Sequence, residues 1–394
     1  MKIGIVLSQT PQYSETFFRL KIKVLQELGY EVILFTQNRD PYFKACEVKS
    51  VLSLSQYPLW MRCFKVSTTL LLLSLFQPMR FFKFIALERQ SKRSWTQIIK
   101  NLYNNSHILR FKTLNWVHFG FATIALQSEH VAEAIGAKMA VSCRGYDIDV
   151  YAELHPDCYD VLWAKVDKIH SISNYLLQKA YTLGLDKSTP SMVITPAVDI
   201  KLFSNEWYKF RTSNEKITIT TVGRLHPIKG LKFSIEAAVF LKQAGLNFEY
   251  LIIGDGPEYS LLQKQIDFLK LKDYVFLKGR MSQEALKQIL QATDVYVQYS
   301  VSEGFCNSVL ESQAMGLLTI VSDGGALPEN VIDKQTGWVV PKKNAKLLAE
   351  AILNIINLPE STKAEVRAAS RQRVLDLFSI DKHQKLFKAF YEND

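Results

Sequence analysis

Apolar positions along this chain follow two alternating rhythms. Short, mostly β-branched runs such as Ile3–Leu7, Glu31–Phe35, Lys216–Val222 and Phe248–Ile253 read as strands. Longer stretches with apolar residues three and four apart, such as Phe17–Leu28 before Gly29 and Leu231–Ala244, read as helices. Strand and helix patterns that take turns, with few long loops between them, predict an α/β protein with parallel sheets. A chain of 394 residues holds two domains, each large enough for its own core. The alternation breaks over Asp199–Asn214, which marks a linker and divides the chain into domains 1–199 and 200–375. A last amphipathic helix, Phe378–Tyr391, falls within a tail of residues 376–394.

Doubly wound sheets bind ligands at the carboxyl ends of their strands, so the loops there carry the candidate chemistry. After the strand Lys216–Val222 comes Gly223-Arg224-Leu225-His226-Pro227-Ile228-Lys229-Gly230, which offers a guanidinium fork and a mobile ammonium to phosphate oxygens. After Phe248–Ile253 comes Gly254-Asp255-Gly256-Pro257-Glu258, a glycine turn through which backbone approaches a ligand closely. After Asp294–Gln298 comes a loop with Glu303, then a helix-like segment with Glu311. Asn307 and Ser308 suit the cap of that helix, whose first N–H groups are free for an anion. The two acids are eight positions apart, too far for helix neighbours. One acid then serves the phosphate end of a ligand and the other a diol; the alternative is a capped helix with one loop acid and one solvated acid. Cys306 lacks a partnering base and reads as a packed thiol.

In the first half, the loop Ser8–Thr16 follows the first strand and points to the same kind of crevice, bringing Ser14, Glu15 and Thr16 with it. Ser14 and Thr16 serve equally well as ordinary helix caps. His118, beside aromatic residues, is either a sugar contact or a packed core histidine. Asp147-Ile148-Asp149 forms a D-x-D, but nothing else supplies oxygen ligands at metal spacing, so no metal is expected.

The ordered set GRLHPIKG, LIIGDGPE, FLKGRM, SEGFCNSVLESQAMG and VSDGGALPE followed by TGWVV resembles family 4 glycosyltransferases, firmly over Ile217–Ile356 and more loosely before it. The P-x-x-S-E-T-F pattern, with His118-Phe119-Gly120 and Arg144-Gly145-Tyr146-Asp147, resembles members that assemble bacterial surface polysaccharides such as capsule, exopolysaccharide and O-antigen. The resemblance implies a GT-B fold: two Rossmann-like doubly wound domains facing across a cleft, with the last helix packing back on the first domain. It also implies a nucleotide-sugar donor and transfer with retention of anomeric configuration; beyond that donor, no cofactor is expected. Carried over by position, Arg224 and Lys229 grip the donor diphosphate and stabilise it as leaving group, and Glu303 contacts the donor sugar; these three are the catalytic candidates. Gly304, Phe305, Cys306 and Asn307 surround the phosphates and sugar, and Glu311 holds the ribose hydroxyls. Gly223 and Gly254 line the donor loops, and the backbone at Gly279, Arg280 and Met281 lines the base. Ser14, Glu15, Thr16, His118, Arg144 and Asp147 are the candidates on the acceptor side. Arg144 stands where many relatives have a histidine. It remains a cation but cannot shuttle a proton; it binds donor phosphate, binds an acidic acceptor, or pairs with Asp147 as structure.

Charge changes the picture in one place. The chain carries a formal net charge of +10, and residues 61–112 hold ten Lys or Arg against the single acid Glu88. Phe64, Leu70–Leu73, Phe76, Phe81, Phe82, Phe84 and Trp95 are interleaved with them. The apolar run Val66–Phe76 is about half a membrane-spanning length. The segment therefore either lies on an anionic membrane surface or packs its apolar residues into the first domain's core. No recognition motif accompanies the charge, which argues against nucleic acid. Five cysteines without a C-x-x-C pair point to a reducing compartment, and MKIGIVLSQTPQ reads as a first strand instead of a signal peptide.

The sequence thus predicts a cytoplasmic enzyme, peripheral on the inner face of the cytoplasmic membrane. It moves a sugar from a nucleotide-sugar to a glycan or lipid-linked acceptor in surface-polysaccharide synthesis. The alternatives are an inactive nucleotide-sugar-binding scaffold and a sugar-nucleotide epimerase on the same fold. Arg224, Lys229, Glu303 and Glu311 all being present argues against the first, and an epimerase requires further acids and bases in the first domain.

Overall fold

The computed structural model describes residues 1–11, 16–38, 40–111, 113–204 and 216–393. It divides into two units, Met1–Ile194 with Gln384–Asp394, and Thr195–His383. Of the expected linker, residues 205–214 lie outside the described residues. Asp199, which lies in the second unit, caps the turn after it by accepting the N–H groups of Lys201 and Leu202 at 3.0 and 3.2 Å.

The first unit is built on seven strands: β1 Lys2–Val6, β2 Glu31–Thr36, β3 Glu47–Ser50, β4 Trp116–Phe119, β5 Lys138–Cys143, β6 Lys168–Ser171 and β7 Ser191–Val193. All pair in parallel, in the order β3-β2-β1-β4-β5-β6-β7. The second unit repeats the plan with β8 Ile217–Val222, β9 Phe248–Ile253, β10 Val275–Gly279, β11 Val295–Gln298, β12 Leu318–Ser322 and β13 Trp338–Val340. Their order is β10-β9-β8-β11-β12-β13, again wholly parallel. Parallel strands covered on both faces are apolar throughout, which explains why β1, β5, β11 and β12 read as near-continuous hydrophobic runs. Where polar residues enter β8, each finds a partner. Thr220 shares a hydroxyl bond with Thr293 at 2.7 Å, and Thr221 bonds the Tyr250 hydroxyl and the Val297 carbonyl.

In each sheet the strand order reverses once, between β1 and β4 and between β8 and β11. Beyond the carboxyl ends of such a pair the following loops run to opposite sides and leave a crevice, the place where this architecture binds ligands.

The last helix, Ile380–Glu392, belongs from Gln384 onward to the first unit. Phe387, Phe390 and Tyr391 are buried there, the Tyr391 hydroxyl lies 2.6 Å from Nδ1 of His118, and the Tyr30 hydroxyl donates to Glu392 at 2.6 Å.

The basic, aromatic segment forms three helices, Leu59–Phe76, Pro78–Gln90 and Trp95–Leu109. The first extends seven residues upstream of the apolar run at Val66 and buries only Leu73, whereas Phe84 and Leu87 of the second and Ile98 and Leu102 of the third pack into the core. Much of the segment's charge is structural. Arg93 joins the buried carboxylates of Glu88 and Glu129, each at 2.7 Å. Arg80 donates to the carbonyls of Leu109 and Phe111, and Arg110 to that of Thr69.

Candidate functional site

Several of the residues singled out in the second half of the chain follow the carboxyl ends of β8, β9 and β11. Gly223, Gly254 and Gly279 end three adjacent strands and are laced by backbone: Gly223 N–H donates to Ile253 O and Gly254 N–H to Gly279 O, both at 2.9 Å. Gly254 has φ +144°, and a Cβ there would sit 1.9 Å from the carbonyl oxygen of Gly223. No side chain fits without parting the two loops. Gly254→Ala is therefore expected to destabilise the protein by about 3 kcal/mol or more in urea unfolding and to loosen the Arg224 loop. An unchanged midpoint would show that the loops are not locked.

The loop after β8 is stitched to the loop after β11. Val301 N–H donates to Ile228 O at 2.7 Å, and Gly230, at φ +62°, lies so close to Tyr299 O that a Cβ would meet it at 2.3 Å. This clamp brings Lys229 and Glu303 together, 74 residues apart in sequence, as an ion pair between Nζ and Oε1. The same Oε1 accepts a bond from Ser300 Oγ at 2.9 Å and a longer one from Gln298 Nε2 at 3.5 Å. Lys229 and Glu303 are mostly buried, with 17% and 12% of their side chains exposed. Burial pulls the Lys229 ammonium toward its neutral form, but the Glu303 carboxylate outweighs it and holds the pKa above the usual lysine value. The lysine is a cation at any physiological pH. Arg224 is exposed on the same loop, near enough that its charge acts on Lys229.

Helix Asn307–Ala314 follows Glu303, and its cap differs from the one expected. Cys306, not Asn307 or Ser308, is the capping residue, and no side chain fills the cap. Asn330 secures the entry instead, accepting the Cys306 N–H and donating to the Cys306 carbonyl, both at 3.1 Å. Ser308 turns inward and donates to Val222 O at 3.2 Å. Gly304, Phe305 and Cys306 are buried, while Asn307 is partly exposed as the first helical residue. Burial pushes the Cys306 thiol up to about 11, so it is protonated and not a nucleophile.

Glu311 is the fifth residue of this helix. Burial pushes its carboxyl up to about 7, and among the described residues no hydrogen bond or ion pair reaches that side chain. A partly buried carboxylate without a protein partner has acceptor capacity that the fold leaves unused. Arg280 and Met281 follow the edge strand β10. Arg280 is largely exposed, 3.8 Å from Asp255, and Met281 is partly exposed.

Residues of the first unit arrange differently. Ser14 and Glu15 lie outside the described residues, as does the side chain of Thr16, which opens the helix Thr16–Glu27. His118 is fully buried in β4, its ring against Lys21 Nζ (3.0 Å), Ser142 Oγ (2.8 Å) and the Tyr391 hydroxyl. Burial and the charges of Lys21, His170 and Arg144 hold it well below the usual histidine pKa, so it is a neutral residue packed in the core. The Arg144 guanidinium lies over the rings of Phe17 and Phe18, 4.0 and 4.7 Å from their centroids, and donates to Gly120 O at 3.1 Å. Asp147 accepts the backbone N–H groups of Ala122 (2.7 Å) and Arg144 (3.0 Å), and its burial raises it to about 7. Asp149 pairs with Lys179 at 2.7 Å and accepts the Tyr175 hydroxyl. The two carboxylates of the D-x-D are thus engaged separately. Gln298, Ser300 and Lys21 escaped the sequence reading. For the first two a signal existed, since they are polar residues in an otherwise buried run; for Lys21, one lysine in an amphipathic helix, none did.

Two wholly parallel sheets of this order, with cations and acids gathered at the reversal of the second, define a GT-B protein. Anabaena HepE in complex with UDP-glucose superposes with a TM-score of 0.71 at 14% identity, covering 99% of each chain. Residues 205–373 match the family described as "Glycosyl transferases group 1", and the chain carries a glycosyltransferase group 1 domain. Over its whole length it is similar to the putative colanic acid biosynthesis glycosyltransferase WcaL of Escherichia coli K12, 25% identical over 95% of each chain. It is also similar to the amylovoran biosynthesis glycosyltransferase AmsK of Erwinia amylovora, 30% identical over 66% of this chain and 64% of that one.

Proposed function

We propose that this glycosyltransferase moves a sugar, with retention of configuration and without a metal, from a nucleotide-sugar to a glycan or lipid-linked acceptor in the assembly of an exopolysaccharide. The carrying observation is the Lys229–Glu303 pair at the β8/β11 crevice, with Arg224 exposed beside it and Glu311 unpartnered on the following helix. The names of WcaL and AmsK support the pathway, and HepE, crystallised with UDP-glucose, supports the donor class.

The chemistry follows from charge. Cleavage of the sugar–phosphate bond leaves negative charge on the diphosphate, and preorganised cations lower that barrier where the charge develops. Lys229 is fixed in place and protonated, so it acts as a positioned charge and not as a proton donor. Arg224 adds a bidentate fork at the solvent side. The helix Asn307–Ala314 presents first-turn N–H groups without a side-chain cap, a second source of positive potential for phosphate. In this reading Glu303 meets a hydroxyl of the donor sugar, and Glu311 offers two oxygens to a ribose diol.

Donor identity is tested by a thermal-shift panel of UDP-, GDP- and ADP-sugars. One base is expected to raise the midpoint, since a ligand at about 100 times its Kd stabilises by about 2.7 kcal/mol. The anomeric coupling in the product's NMR spectrum then tests retention. No shift with any nucleotide-sugar, and no turnover with lipid-linked acceptors, would contradict the proposal.

A further inference from the structure

We propose that the paired helices Leu59–Phe76 and Pro78–Gln90 seat the protein on an anionic lipid bilayer, lying in its headgroup region with their apolar side inward. In the first helix Trp60, Phe64, Leu71 and Leu75 are each more than half exposed, and their spacing places them on one face. Leu72 and Phe76 flank this stripe, and Met79 and Phe82 are exposed on the next helix. A soluble monomer rarely leaves so many large apolar side chains contiguous and in water.

Charge selects the occupant. From Leu59 to Leu87 there is no Asp or Glu, while Arg62, Lys65, Arg80 and Lys83 are present. Anionic headgroups complement that sign.

The first helix has 18 residues and a mean hydropathy of 1.4, long and apolar enough to cross a membrane by length and composition alone. Its attachments favour lying flat. Arg110 donates to the carbonyl of Thr69 at 2.9 Å near the helix middle, and Leu73 is packed into the first unit. A helix bound to its domain at mid-length and exposing one apolar face has the form of an interfacial element. The inference does not depend on the donor chemistry proposed above.

The test is co-sedimentation of the full chain with phosphatidylglycerol–phosphatidylethanolamine vesicles. The wild type is expected to sediment with them and to bind phosphatidylcholine vesicles more weakly. Leu75→Glu should weaken partitioning about tenfold, and Phe64→Glu/Leu71→Glu/Leu75→Glu by about a hundredfold or more. These side chains are exposed, so the thermal midpoint should hold; Trp60 emission in the wild type, read against Trp60→Phe, should shift to the blue on adding vesicles and provides a readout without the glutamates. Equal vesicle binding by wild type and triple variant, or none by the wild type, would overturn the proposal. So would a wild-type dimer that the triple variant converts to monomer while neither binds vesicles, which would make this face a protein interface.

Discussion

Lys229→Ala is expected to lower kcat/KM by at least about a thousandfold while leaving the protein folded. The lysine is a mostly buried cation aimed into the crevice at the β8/β11 reversal, and its partner carboxylate keeps it charged. On the proposed function, its removal takes positive charge from the place where a diphosphate would depart. The fold should survive because Glu303 retains the Ser300 hydroxyl and the Gln298 amide as donors, so the remaining carboxylate is not orphaned. Glu303→Gln separates the roles further. It preserves hydrogen bonding but removes the counter-charge, so Lys229 loses the effect that offsets its burial, and activity should fall by a comparable factor. Steady-state kinetics with a saturating acceptor check both, with circular dichroism as the control. Rates within about tenfold of wild type in both variants would remove the pair from the mechanism.

Glu311→Gln is expected to stabilise the protein and to weaken donor binding together. The Glu311 carboxyl titrates at about 7 in the folded state against an ordinary 4.5. A raised acid pKa means the folded state holds its proton more tightly than the unfolded one. Stability from this group is therefore greatest below about pH 4.5, declines as pH rises toward 7, and is flat above. The variant should be more stable than wild type by about 1–2 kcal/mol at pH 8, less than the full shift, because the amide too is partly desolvated. The difference should shrink below pH 5. Asp147, also raised to about 7, is unchanged by the substitution, so comparison of the two proteins isolates Glu311. Donor affinity should fall about ten- to a hundredfold, the value of charge-assisted bonds to a diol. In the wild type it should strengthen as pH rises through 7 and the carboxylate ionises. A variant that binds donor as well as wild type would show that Glu311 faces no ligand.

Which parts of this could be read from sequence follows from the range of the interactions. Strands and helices set by local periodicity, such as Phe248–Ile253 and Leu231–Gln243, fall within a residue or two of their expected bounds. The loops of Lys229 and Glu303 were legible as strand-end chemistry, but their direct contact was not, since it depends on β8 and β11 lying side by side in the sheet. The cap of the Asn307 helix was misread because Asn330, 24 residues on, satisfies the loop that a local cap would otherwise have held. The helix Leu59–Phe76 outruns the apolar run Val66–Phe76, since Arg62 and Lys65 interrupt the apolar pattern although both fit a helix exposed on most of its surface. His118 was undecided from sequence because its neighbours arrive from far away: Tyr391 of the last helix lies 273 residues on, and Lys21 lies 97 residues back. Arg144 likewise sits over aromatic rings supplied by another helix, a pairing that no local pattern announces.

The most direct measurement is a crystal structure of the chain with the nucleotide-sugar that gives the largest thermal shift. The account predicts diphosphate oxygens within hydrogen-bond distance of Lys229 Nζ and the Arg224 guanidinium, with both ribose hydroxyls on the Glu311 carboxylate. A nucleotide bound away from the β8/β11 crevice, or seated there with Lys229 still closed on Glu303 and no phosphate in reach, would contradict it.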